Sequence, residues 1–299
     1  MNNLPSPFKS HKGESEFMAV YDALMQLWPV PYETFEIPGH FGCTHVIASG
    51  PKEAPELVLL HGAHATVTMW AANMADLSRD YRVYAVDVIG QPGKSIADPC
   101  FTKRDQLIPW FTELLDTLKI EKANLVGQSY GGWFTLNYAI HVPERVNKIV
   151  LLSPAACFLP LNRQHQLRGA PMWFFPSLFT VRSFKLWETH PDFINTPEKM
   201  TLFTKKVKLL YLGFKNYRMQ GESNPDIFTD GQLRSLQAPM LLLIGQQEVI
   251  YDPVASLERA HNLVPHNEGS LIPNASHEMS YSQARIVDER ILQFLKDNA

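Results

Sequence analysis

The sequence predicts an α/β chain: a mostly parallel, twisted sheet with helices on both faces and a helical segment inserted between two late strands. Three observations carry this prediction. Short apolar runs at residues 57–60, 123–126, 146–152 and 240–244 alternate with stretches of helical periodicity, the rhythm of a parallel sheet with helical crossovers. Residues 57–60 are apolar throughout, as a strand covered on both faces requires. The rhythm then breaks between residues 158 and 234, which show no strand signal but contain thirteen aromatic residues. A chain of 299 residues has room for one such domain and an insertion. The expected organisation is a core of residues 1–157 and 235–299 with a helical cap, or lid, of residues 158–234.

In order along the chain, residues 14–28 place Phe17, Val20, Tyr21, Leu24 and Leu27 at helical spacing and predict a helix packed on the body. Residues 34–52 alternate, with turns at Pro38-Gly39 and Gly50-Pro51, and predict a β-hairpin or two short strands. A buried strand at 57–60 is followed by a helix over 66–80, a strand over 81–88 and a helix over 107–118. The strand at 123–126 leads directly into Gly127-Gln128-Ser129-Tyr130-Gly131 and a helical stretch beyond it. Strands at 146–152 and 240–244, a helix over 252–263, a short strand near 270–272 and a helix over 280–295 complete the core.

The pentapeptide around Ser129 is G-x-S-x-G at a strand-to-helix junction. In that context the motif is a nucleophile elbow: the turn is so tight that its flanking positions must lack side chains, and the hydroxyl is thrust above the sheet. A serine hydroxyl alone is a poor nucleophile, so it needs a base within hydrogen-bond reach and an oriented acid behind that base. Behind such an elbow the partners follow in the order acid, then histidine. They belong in loops at the carboxyl ends of strands, where open α/β sheets bind ligands. His277 meets that condition, in the loop between the last strand and the last helix. His141 reads as a helix C-terminal cap, His165 and His190 fall in the insertion, and His261 and His266 flank a helix end. For the acid, Glu248 lies three residues past the glycine ending the strand at 240–244 and is the preferred candidate. Asp252 is its rival, although its place before Pro253 at a helix start suits an N-cap.

Acyl transfer develops negative charge on a carbonyl oxygen, which backbone N–H groups must meet. Tyr130, directly after the serine, supplies one candidate donor, and Ala63 in the loop His61-Gly62-Ala63-His64 the other. The His61-x-x-His64 pair lacks an intervening glutamate and a third ligand, so no metal site is expected. His64 is placed at or near the pocket, its role open.

Composition excludes other classes. A net charge of −3 gives no footprint for nucleic acid, and Lys205-Lys206-Val207-Lys208 reads as a solvated helix face. No run of about 18 uncharged apolar residues exists, so no membrane span is expected. Cys43, Cys100 and Cys157 are odd in number and widely spaced. With a polar, proline-containing stretch at residues 1–12 they point to a reducing, cytoplasmic compartment rather than a disulfide framework. The insertion's aromatics read mainly as packing, and in part as an apolar pocket wall over the sheet edge.

From about residue 34 to 295 these features resemble the α/β-hydrolase superfamily. Leu57-Val58-Leu59-Leu60-His61-Gly62 looks like its oxyanion strand. Asp87-Val88-Ile89-Gly90-Gln91-Pro92-Gly93-Lys94-Ser95 is similar to its D-x-x-G-x-G-x-S turn, with an extra residue and a proline. Within the superfamily, Thr44-His45-Val46-Ile47-Ala48-Ser49-Gly50-Pro51 and Glu248-Val249-Ile250-Tyr251-Asp252-Pro253 resemble the small bacterial carboxylesterases of the carboxylesterase NP type. Most of the superfamily has aspartate where this chain has Glu248. The resemblance implies an α/β-hydrolase fold and a cofactor-free serine carboxylesterase acting on short-to-medium-chain esters with an apolar acyl or aryl group. Haloalkane dehalogenases and epoxide hydrolases carry aspartate at the elbow, which Ser129 opposes. Perhydrolases (haloperoxidases), carbon–carbon bond hydrolases and acyltransferases share the Ser-His-acid set and stay open. So does a catalytically inactive binding protein on the same fold, although no member of the set is missing.

Overall fold

The computed structural model describes residues 4–221 and 225–296. The ends of the expected core (residues 1–3 and 297–299) and residues 222–224 of the expected cap lie outside the described residues. The chain enters through α1 (His11–Met25), capped by Ser10, whose side chain accepts from the Gly13 N–H. A hairpin follows, β1 (Glu33–Gly39) and β2 (Gly42–Ser49). Then come β3 (Glu56–Leu60), α2 (Met74–Asp80), β4 (Arg82–Val86), the two-residue β5 (Ile96–Ala97) and α3 (Leu107–Thr117). The centre of the chain holds β6 (Ala123–Gln128), α4 (Tyr130–His141) and β7 (Val146–Leu152).

Among the described residues, β7 is followed by four α-helices with no strand between them: α5 (Arg163–Phe174), α6 (Leu178–Glu188), α7 (Pro197–Asn216) and α8 (Asp230–Arg234). The core resumes with β8 (Met240–Gly245), α9 (Pro253–Leu263), β9 (Asn267–Ile272), α10 (Met279–Ser282) and α11 (Ala284–Lys296).

The strands form one sheet in the order β1-β2-β4-β3-β6-β7-β8-β9, with β5 on β2. Pairing is parallel from β4 through β9 and antiparallel at the β1–β2–β4 edge. β3 and β8 are apolar because both faces are covered. Trp110 and Phe111 of α3 and Phe134 of α4 pack one face, and α1, α2 and α11 pack the other through Tyr21, Leu77 and Ile291.

Two predicted helices are broken. Residues 66–80 divide into a 3₁₀ turn (Val67–Ala72) and α2, the break falling at Asn73. The buried Asn73 amide donates to the Ser280 carbonyl and the Asp288 carboxylate, at 2.7 and 2.8 Å. The C-terminal stretch divides likewise into α10 and α11 around Gln283. Apolar spacing gives the covered face but not a break made by a distant polar partner. The last strand also begins earlier than expected, at Asn267, because β9 pairs with the whole of β8.

Candidate active site

The site lies at the carboxyl ends of β3, β6, β8 and β9, and each predicted side chain reaches it from a separate loop. Ser129 sits between β6 and α4 with φ +54° and ψ −116°. Non-glycine residues held there cost on the order of 1–3 kcal/mol, so the surroundings must enforce the turn. Its N–H donates to the Leu152 carbonyl at 2.9 Å, and its own carbonyl accepts from Trp133 and Ala155 at 3.0 Å.

Flanking glycines make the approach possible. A Cβ on Gly127 would lie 2.2 Å from the Gly131 carbonyl oxygen, and one on Gly131 would lie 2.1 Å from that of Leu60. Both obstacles are backbone. Gly131→Ala should therefore cost about 1–3 kcal/mol or more, as overpacking does. It should lower Tm by several degrees, which thermal unfolding would measure; an unchanged Tm would contradict the packing of the elbow against the Leu60 carbonyl.

His277 lies in the loop after β9, where the Gln128 side-chain amide donates to its carbonyl at 3.1 Å. Its Nε2 is 2.9 Å from Ser129 Oγ, and its Nδ1 is 2.9 Å from Glu248 Oε2. The Glu248 Oε1 accepts from the Val249 and Ile250 N–H groups at 2.8 and 3.2 Å. The acid loop is tied to its neighbours: the Ala275 N–H donates to Gln247 Oε1, and the Asn162 side chain at the start of α5 donates to the Val249 carbonyl. The structure thus brings Ser129, His277 and Glu248 into one hydrogen-bonded chain. Asp252 stands outside it and caps α9, accepting from the Val254 and Ala255 N–H groups at 3.0 and 3.1 Å.

Burial disfavours a charged His277 imidazole, but the charge and hydrogen bond of Glu248 outweigh it, and the pKa rises above the ordinary 6.5. Burial likewise opposes the Glu248 carboxylate. His277, with donors from Ser153 and Ile250, reverses that and holds its pKa below the usual value.

Gly62 brings the loop after β3 against the elbow: a Cβ built there would be 3.3 Å from Ser129 Cβ. Ala63 lines the cavity over Ser129 and His277, and among the described residues its N–H meets no acceptor. The Tyr130 N–H belongs to the first turn of α4, where a helix leaves its donors free.

His61 is spent on the framework. Its Nε2 accepts from the Val88 N–H at 2.9 Å, so Nδ1 carries the proton and donates to the Gly62 carbonyl at 2.8 Å. His64 packs at the cavity wall, stacked on Phe214 with ring centroids 4.0 Å apart and edge-on to Trp173. Burial lowers its pKa to about 3, which leaves a neutral ring. Among the described residues no group of three or more His, Cys, Asp or Glu side chains is gathered as metal ligands would be.

A cavity of about 730 Å³ opens over Ser129 and His277, walled on the insertion side by Trp173, Phe184, Phe203 and Phe214. Other aromatics there are not wall: Phe175 and Phe179 are 77% and 80% exposed. The lysine run is also corrected. Lys205 and Lys208 face solvent, but Lys206 turns into the cavity, where Lys185, Glu188 and Glu278 also line the wall. The signal was present: Lys206 shares a helix face with Phe203, Leu210 and Phe214 at spacings of three, four and eight residues.

The model of the alpha/beta hydrolase fold family matches residues 55–284. The chain belongs to the α/β-hydrolase family. It is 40% identical over 281 residues to a Bacillus subtilis (strain 168) protein called uncharacterized carboxylesterase nap, covering 93% of this chain and 91% of that protein. It is 34% identical to carboxylesterase YbfK of the same organism, over 93% of each. The crystal structure of naproxen esterase (carboxylesterase NP) from Bacillus subtilis superposes with a TM-score of 0.87 at 37% identity, covering 96% of this chain and all of that one. The likeness read from the sequence to the carboxylesterase NP type therefore holds across this α/β hydrolase. Among its described residues no helix is long and apolar enough to cross a membrane.

Proposed function

We propose that this α/β hydrolase is a serine carboxylesterase acting on small esters with an apolar acyl or aryl group, and that Ser129, His277 and Glu248 are its catalytic residues. The observation that carries the reading is the unbroken path from the Ser129 hydroxyl through the His277 imidazole to the Glu248 carboxylate, at 2.9 Å per step. Ser129 attacks the ester carbonyl carbon while His277 Nε2 takes its proton. Glu248 fixes the proton on Nδ1 and stabilises the imidazolium that forms. The N–H groups of Ala63 and Tyr130 receive the developing oxyanion. The carbon–oxygen bond to the alcohol breaks, the alcohol leaves with the proton from His277, and an acyl-Ser129 ester remains. Water, deprotonated by His277, then attacks that ester and releases the acid and free Ser129.

Residues 158–234 act as a cap over this centre in the same reading, and the three free cysteines support the cytoplasm as its compartment. The decisive test is covalent labelling by a fluorophosphonate probe together with hydrolysis of p-nitrophenyl butyrate. Labelling and turnover are expected in the wild type and absent in Ser129→Ala. Labelling without hydrolysis of any ester would move the assignment to another Ser-His-acid activity. The apolar wall adds a second expectation: medium-chain p-nitrophenyl esters should exceed the acetate in kcat/KM, and a flat profile from acetate to octanoate would contradict it.

A further inference from the structure

The charged side chains of the cavity that holds Ser129 gather in one group, Lys185, Glu188, Lys206 and Glu278, set between residues 158–234 and the rest of the chain. Lys185 of α6 is engaged by two carboxylates, Glu188 at 2.7 Å and Glu278 in direct contact. Lys206 of α7 is not. Among the described residues its ammonium makes no hydrogen bond and no ion pair. It rests over the Tyr281 ring, 3.1 Å from the centroid, and borders the same cavity as Ser129 and His277.

An ammonium carries three N–H donors, and a ring face offers no lone pair to any of them. A half-buried ammonium without an anion carries a desolvation cost, which an anionic ligand seated in the cavity would offset. Here burial, followed by the like charge of Lys185, holds Lys206 well below the ordinary lysine value. An incoming carboxylate would offset both effects at once. The neighbouring acids do not serve this purpose, because both are turned to Lys185.

We infer that Lys206, backed by the Tyr281 ring, is a recognition point for an anionic group on the substrate, so that the preferred substrate is an ester carrying a second, unesterified carboxylate. This rests on the esterase reading and deepens it: Ser129 acts on the ester end while Lys206 holds the free carboxylate end across the cavity. Half-esters of dicarboxylic acids (carboxylate on the acyl side) and esters of hydroxy acids (carboxylate on the alcohol side) share this chemistry.

The experiment compares p-nitrophenyl half-esters of the dicarboxylic acids from succinic to suberic with p-nitrophenyl esters of matched methyl-terminated acids. A second arm compares butyrate esters of ω-hydroxy acids with butyrates of matched alkanols. The quantity read is the ratio of kcat/KM for each charged ester to that of its neutral counterpart. A charge-assisted hydrogen bond is worth about tenfold or more. At the favoured length the ratio should therefore fall about tenfold in Lys206→Met and be largely restored in Lys206→Arg, and the responding arm identifies the carboxylate's side. A ratio that moves less than about twofold at every length in both arms would overturn the inference. Should Lys206→Met not fold, the wild type alone decides: during neutral-ester turnover, one dicarboxylate should inhibit at least about tenfold better than its matched monocarboxylate, and equal inhibition across the series rejects the site. Wild-type turnover of neutral esters separates this failure from failure of the esterase reading, which predicts that turnover whatever Lys206 does.

Discussion

Replacing Ser129 by alanine should lower turnover of p-nitrophenyl butyrate by a factor on the order of 10⁶, the loss that removal of a serine nucleophile produces where it acts as one unit with its base. The hydroxyl is 2.9 Å from His277 Nε2, and among the described residues no second hydroxyl is hydrogen-bonded to that nitrogen. With the oxygen gone, His277 and the two amides can still act on a bound water, so the residual rate should stay above the uncatalysed one. The backbone around the elbow should survive, because its hydrogen bonds to Leu152, Trp133 and Ala155 use main-chain atoms only. Alanine, however, must also adopt the left-handed conformation of Ser129. Thermal unfolding measured alongside the rate separates lost chemistry from lost fold. More than about a hundredth of the wild-type rate in a folded Ser129→Ala protein would sink the mechanism.

The legible and illegible parts of this chain divide along physical lines. β3, β6, β7 and β8 could be read because a strand covered on both faces has few residues to choose from, and an apolar run bounded by turns announces it. Ser129 could be read because its turn tolerates no side chain at Gly127 or Gly131. His277 and Glu248 followed from their positions just after strands. Asp252 and Glu248 are both carboxylates in one loop, and only coordinates show that the first turns to the α9 amides and the second to the imidazole. The break at Asn73 was hidden because its partners lie more than 200 residues away. The segment 158–234 was the least legible part. Its aromatics share one composition but divide among a small core of their own, the cavity wall and open surface, a division set by the packing of α5, α6 and α7. Lys206 was misread for a related reason: a run of lysines looks solvated until the helix face bearing Phe203 and Phe214 is known to line a cavity.

Replacing Glu248 by glutamine should cost about 10⁴ in kcat, as loss of the orienting carboxylate does in a serine triad, whereas Asp252→Asn should leave kcat within a few-fold and stability nearly unchanged, since asparagine caps a helix about as well as aspartate. The pH profile makes the test sharper than the rate alone. His277 must be neutral to accept the serine proton, so kcat/KM falls as pH drops through its pKa. In the wild type Glu248 raises that pKa above 6.5 against the opposing effect of burial, so the acidic limb should lie above 6.5. In Glu248→Gln the carboxylate charge is gone while burial remains. Glu188 still favours the imidazolium and Lys185 still opposes it. The pKa should therefore fall and the limb move toward acid, even though the plateau rate is far lower. A residue acting only through packing would lower the plateau without moving the limb, and a limb that moves in Asp252→Asn instead would transfer the role to Asp252. The separation between the two outcomes comes from one structural difference: the Glu248 carboxylate faces an imidazole whose charge it stabilises, whereas the Asp252 carboxylate faces only the amides at the start of α9.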